Sequence, residues 1–202
     1  MIPSKSSKKR SLNNLSRWLH TYLSMVSFLL VLFFALTGLT LNHAEWFDGK
    51  EKTDKWTGKI PLAWVHTADT SRIEKLSLVE WFRNQHHIKG RVSDFIIEDS
   101  QINISFKGPG YSADAFINRE NGIYKLKETK LGLIAILNDL HKGRDTGTYW
   151  SFLIDISAIF MVLVSLTGLL MMVYIRKKRA NGFYLLILGG LIFFLAYYFL
   201  VP

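Results

Sequence analysis

The sequence predicts a membrane α-helical protein: three transmembrane helices, with a small extracytoplasmic α+β domain inserted between helices 1 and 2. Three observations carry that prediction. Three long apolar runs are almost free of charge, a polar segment over 43–148 separates the first from the second, and inside that segment the apolar period changes from helical to alternating.

The runs come first. Thr21 to Leu41 holds no charged residue, Tyr149 to Ile175 holds only Asp155, and Phe183 to Val201 holds none. A helix needs ~20 apolar residues to cross ~30 Å of hydrocarbon, so each run is long enough to span. The chain therefore divides into a basic N-terminus (1–17), helix 1 (18–42), the insert (43–148), helix 2 (149–175), a basic loop (176–182) and helix 3 (183–201). The first run is longer than a signal peptide's apolar stretch. Thr40-Leu41-Asn42-His43 offers no small-x-small cleavage site, so the run reads as an uncleaved anchor.

Charge sets the expected orientation. Lys5, Lys8, Lys9, Arg10 and Arg17 precede helix 1, and Arg176, Lys177, Lys178 and Arg179 follow helix 2, with no acid in either group. The segment from His43 to Thr148 carries 16 Lys and Arg against 15 Asp and Glu. Basic loops stay in the cytoplasm, which places the N-terminus and the 176–182 loop inside and the insert outside. The net charge of +9 is thus a topology signal, and no nucleic-acid partner is implied.

Within the insert, Trp46 to Trp64 reads as an irregular lead-in with turns at Asp48-Gly49 and Thr57-Gly58. Ser77-Leu78-Val79-Glu80 has the pattern of a capping box, opening a helix to about His86 that buries Leu78, Val79 and Phe82 and stops at Gly90. Alternation then predicts strands around Val92 to Ile97, Ile102 to Phe106, Tyr111 to Ile117 and Ile123 to Leu126. Gly108-Pro109-Gly110 and Asn118 to Gly122 supply turns. A short helix from Leu131 to Leu140 leads into His141 and the membrane.

The chain has six histidines and no cysteine, so thiolate metal sites, Fe–S clusters, c-type haem attachment and disulfides are excluded together. His20, His43 and His141 stand at span ends, where imidazoles serve as axial ligands of a haem held between helices. His20 and His43 are at opposite ends of one helix, ~35 Å apart at 1.5 Å per residue, and cannot share an iron. His43 and His141 both fall at the outer side and form the candidate pair for one haem b, with a carbonyl or a carboxylate such as Asp139 holding the second ring nitrogen. His20 lies on a face with Ser24, Ser27, Val31 and Gly38; it is a candidate for a second haem or a ligand on a dimer axis, or a plain interfacial residue.

Asp155 is the single charge inside a span and is expected to face protein or a wet cavity, as proton acceptor, hydrogen-bond partner of a ligating imidazole or part of a metal entry site, or as a buried acid satisfied by a Ser or Thr of a neighbouring helix. Lys142 and Arg144 are candidates for contacts to haem propionates or an anionic chelate; snorkelling to lipid phosphate is the alternative. Trp46 and Tyr149 could wall a haem pocket. His86-His87 reads as a solvent-exposed helix end.

Several motifs occur in a fixed order. Arg17-Trp18-Leu19-His20 opens helix 1 and Leu36-Thr37-Gly38-Leu39 closes it. A helix and meander follow, with the Asn118-Arg119-Glu120-Asn121-Gly122 turn. Leu140-His141-Lys142-Gly143 precedes helix 2, which ends in Leu166-Thr167-Gly168-Leu169. Together these resemble the PepSY-associated transmembrane family over nearly the whole chain. The single-insert form is similar to its short, VciB-type members, which promote ferrous iron uptake.

The resemblance implies a haem b protein of the bacterial inner membrane that reduces ferric iron or ferric chelates at the periplasmic face. Fe(II) would then pass to a ferrous iron transporter. Larger members of the family have further helices, which makes a homodimer attractive for a chain of this size. The cytoplasmic parts are too small for a dinucleotide site, so electrons are expected from a membrane quinol or a separate donor protein. The alternatives are a non-enzymatic, membrane-anchored PepSY-type binding or regulatory protein, and an accessory subunit of an iron transporter.

Overall fold

A computed structural model describes residues 5–47, 51–67, 69–70, 73–175 and 179–202. The turn expected at Asp48-Gly49 and the basic residues Arg176 to Lys178 lie outside them. The described chain forms two compact units, one of residues 1–33 and 155–202 and the other of residues 34–154.

Three helices are long and apolar enough to cross a membrane: α1 (Lys5–Asn42), α4 (Thr148–Tyr174) and α5 (Arg179–Leu200). In the first unit, burial in α1 and α4 falls on small polar residues. Ser16 and Ser27 of α1 and Ser157 and Thr167 of α4 are buried, while Met25, Leu29 and Ile159 are exposed. That inversion suits a lipid surround, where apolar side chains gain nothing by turning inward and small residues let backbones approach. The predicted small-residue stripe holds at Ser24 and Ser27 but not at Val31, which is 47% exposed. The row turned inward passes through Leu30 instead. No residue of α5 is buried.

The second unit contains the insert. Its strands are β1 (Lys52–Lys59), β2 (Arg91–Ile97), β3 (Gln101–Gly108), β4 (Tyr111–Asn118) and β5 (Ile123–Lys130). They form one antiparallel sheet in the order β1-β5-β4-β3-β2. Alternation puts Ile102, Ile104 and Phe106 of β3, Ala113, Ala115 and Ile117 of β4, and Tyr124 and Leu126 of β5 on one face. Leu78, Val79 and Phe82 of α2 (Lys75–His86) close over them. Removing a side chain the size of Phe82 from water stabilises by ~2–3 kcal/mol, so this helix is the lid of the core.

Strand β1 corrects the expected irregular lead-in. Lys52 to Lys59 has no apolar alternation, because one flank is a sheet edge and only Trp56 packs on the core. Thr57-Gly58 is strand, not turn. A side chain at position 58 would put Cβ 2.5 Å from the Tyr124 hydroxyl, so glycine makes room for that ring.

The capping box is not formed. Helix α2 starts two residues early, and the Ser77 hydroxyl donates to the Glu74 carboxylate at 2.7 Å. The helix ends in a left-handed His87, ahead of Gly90. His86 is half-buried rather than exposed. Its Nε2 is 2.9 Å from the Tyr124 hydroxyl, beside the rings of Trp56, Trp81 and Phe82.

Candidate functional site

The connection from sheet to membrane is α3 (Leu133–Lys142), two residues later than predicted. It is short but ties four segments of the second unit together. Asp139 is buried and accepts the Gly110 N–H at 2.8 Å and an Arg144 guanidinium N–H at 2.6 Å. Gly110 has φ +63° and lies against Ile136, which a Cβ would strike. The Thr40 hydroxyl donates to Asn138 Oδ1 at 2.8 Å, and the Trp150 indole N–H to the Leu140 carbonyl at 2.8 Å.

His141 sits at the end of this helix with its Nδ1 2.7 Å from the Thr37 hydroxyl. The ring is edge-on to Phe34, and its Cε1 would lie 3.4 Å from a Cβ at Gly38. The first Leu-Thr-Gly-Leu thus forms a seat for the imidazole: threonine fixes one nitrogen and glycine leaves room for the ring. Nε2 carries no hydrogen bond from the described residues. The sequence reading offered a carbonyl or a carboxylate such as Asp139 for the holding role. The Asp139 carboxylate is taken by Gly110 and Arg144, and the hydroxyl of Thr37 holds the ring instead.

The first unit repeats the arrangement. His20 Nδ1 is 3.1 Å from the Thr167 hydroxyl and 3.2 Å from the Val164 carbonyl, and a Cβ at Gly168 would meet the ring at 3.1 Å. The Thr167 hydroxyl donates its own proton to the Val164 carbonyl at 2.9 Å. Facing a carbonyl and a hydroxyl whose proton is already placed, Nδ1 is satisfied only as N–H. Nε2 is left with the lone pair a metal ligand needs. For His141 the same tautomer follows when the Thr37 proton goes to the Phe34 carbonyl, 3.4 Å away.

His43 stacks on Trp46 with ring centres 3.8 Å apart, and its Nδ1 is 3.5 Å from Glu45. Among the described residues, no hydrogen bond or ring contact joins it to His141, and no group of three or more His, Asp or Glu is arranged to hold a metal ion. Lys142 is exposed; Arg144 is exposed too, but committed to Asp139. Tyr149 is 95% exposed. Asp155 lies on the exposed side of α4, away from the row of Ser157 and Thr167.

Sequence reasoning placed both Leu-Thr-Gly-Leu motifs at the ends of their helices and missed the threonines as imidazole partners. The signal was present. His20 opens the apolar run of α1 and His141 precedes α4; each of these two helices carries a Thr-Gly near its end, and each histidine finds the Thr-Gly of the other helix.

No curated protein and no solved structure matches the chain. A family model described as PepSY_TM-like matches residues 14–202, from the first turns of α1 to the last residue of the chain. The match covers most of the chain, its three apolar helices included, and the chain belongs to the PepSY_TM-like family.

Proposed function

We propose that the protein is a haem b protein of the bacterial inner membrane that reduces ferric iron or ferric chelates on the side of the inserted domain, supplying Fe(II) for uptake. The observation that carries this reading is the pair of seated imidazoles. His141 and His20 each have Nδ1 fixed by a threonine hydroxyl and a glycine beside the ring, with Nε2 left to bind. That is the chemistry of an axial ligand: a neutral imidazole whose second nitrogen is hydrogen-bonded, so that tautomer and ring plane are set in advance.

When bound, the haem supplies one-electron chemistry. The protein's part is to present nitrogen, exclude water and orient the ring. Thr37 and Thr167 act as positioning residues, and Phe34 covers the His141 ring. His43 is the proposed second ligand at the His141 site, with Trp46 stacked against it. His20 is the proposed ligand of a second haem or of a site on a dimer axis. Asp155, exposed on a span, favours a homodimer, because a carboxylate at that depth is stable only against protein or a wet cavity. Lys142 is left for a propionate or lipid phosphate.

The charge pattern supports the orientation, with basic residues before α1 and after α4 held in the cytoplasm and the insert in the periplasm. Electrons then come from a quinol or a separate donor protein, and a ferrous transporter takes the product. The anchored binding or regulatory module, or accessory subunit, needs none of these histidines.

The test is reduction of ferric citrate by cells with and without the protein, read with an Fe(II)-trapping dye. The proposal expects faster reduction with the wild type and background rates with His141→Ala. Equal rates for cells with and without the protein would reject it.

A further inference from the structure

One face of the inserted sheet packs against α2, and on the opposite face Lys55, Phe116, Lys125 and Lys127 are exposed. In the register of that second face, Lys55 of β1 stands directly opposite Lys127 of β5, and Thr57 opposite Lys125. Lys125 is in turn opposite Phe116 of β4, which is 47% exposed. Lys127 faces Asp114, which accepts a hydrogen bond from the Ser105 hydroxyl at 2.7 Å. Lys55, Lys125 and Lys127 enter no ion pair among the described residues, whereas Lys52, Lys107 and Lys130 each do. Together with Phe116, the three unpaired lysines line a shallow recess of about 140 Å³.

Folding does not call for this arrangement. Like charges directly opposite on neighbouring strands cost roughly 0.2–1 kcal/mol, and an aromatic ring on a solvent face gains no burial. Cations converging around an open ring are suited to a small oxyanion with a carbon skeleton. We propose that this face binds a small, multiply anionic iron chelate, its carboxylate or phenolate oxygens against Lys55, Lys125 and Lys127 and its skeleton over Phe116. That the chelated metal is ferric iron rests on the reductase reading above; the anion site itself does not.

Lipid headgroups offer oxyanions too, but a headgroup brings no compact carbon skeleton to Phe116, and the vesicle competition below separates the two sources.

The experiment is calorimetric titration of the full-length protein in phosphatidylcholine nanodiscs with gallium citrate and gallium catecholate, both redox-inert. The proposal expects saturable binding of at least one probe, weakened by salt. Lys55→Gln and Lys127→Gln should each weaken it about fivefold, the worth of one nearby charge in water, and Phe116→Ala should weaken it as well. Lys89→Gln, which removes a charge elsewhere on the insert, should leave it unchanged. Lys55→Gln should unfold at or above the wild-type midpoint, since it removes the repulsion with Lys127.

Absence of binding by both probes, lysine variants that match the wild type, or an equal loss with Lys89→Gln would each overturn the site. Competition by phosphatidylserine vesicles at matched charge would assign the face to lipid and overturn it too. Failure of the haem reading looks different: a protein without haem that still binds gallium citrate loses the reductase assignment and keeps this face.

Discussion

The imidazole of His141 is held by the hydroxyl of Thr37 at 2.7 Å, and the ring packs beside Gly38. The contact joins the last turn of the helix that leaves the sheet to the last turns of the first membrane span. Thr37→Val keeps the shape and removes the hydrogen bond. It should destabilise the protein by ~1–2 kcal/mol and lower the haem-to-protein ratio, with haem affinity down about tenfold. Thr37→Ser should restore both. Thermal unfolding and haem content of the purified variants check this; equal behaviour of Val and Ser would count against the hydroxyl's role.

The two glycine seats differ in tightness, which gives a graded prediction. A Cβ at Gly168 would meet His20 at 3.1 Å, but one at Gly38 would meet His141 at 3.4 Å, an ordinary contact. Gly168→Ala should therefore push its imidazole and cost about 1–3 kcal/mol, while Gly38→Ala should cost less. Unfolding midpoints of the two variants, measured side by side, decide it.

Asp139 is buried and carries both the Gly110 N–H and the Arg144 guanidinium. Asp139→Ala should cost ~2–4 kcal/mol, since it leaves a buried donor and a cation without their acceptor. Arg144→Ala should cost less, because the arginine is mostly exposed and solvent screens its charge. Denaturant unfolding followed by tryptophan fluorescence measures both.

His86 should give the insert a pH dependence. Burial among aromatic rings holds its imidazole below the ordinary value of 6.5; the Glu128 carboxylate opposes this and His87 adds to it. The unfolded chain takes up a proton near 6.5 where the folded chain does not. Stability is therefore full above that pH, falls as pH drops through it, and levels off below the folded value. Between about pH 7.5 and 5.5, the drop in unfolding midpoint should be smaller for His86→Gln than for the wild type. The same drop in both would show that other groups set it.

Much of this architecture was legible because charge and period are direct physical signals. A span must exclude charge, and a half-buried strand must alternate, so α1, α4, α5 and β2 to β5 could be read from residues alone. β1 could not: its Lys-Thr-Asp-Lys-Trp-Thr-Gly-Lys run sits at an edge, and pairing with β5 makes it a strand. The histidines were legible as candidates, but their partners were not. Thr37 and His141 are far apart in sequence, and only the fold shows that the hydroxyl, rather than the nearer Asp139, reaches the ring.

The central claim is that His141 presents a haem ligand, and the most direct measurement is the reduced-minus-oxidised absorbance spectrum of purified wild type and His141→Ala. The account predicts the sharp bands of a low-spin, bis-imidazole b haem in the wild type, and their loss or conversion to a high-spin spectrum in the variant. A wild-type protein without haem absorbance, or a variant whose spectrum and haem content are unchanged, would contradict it.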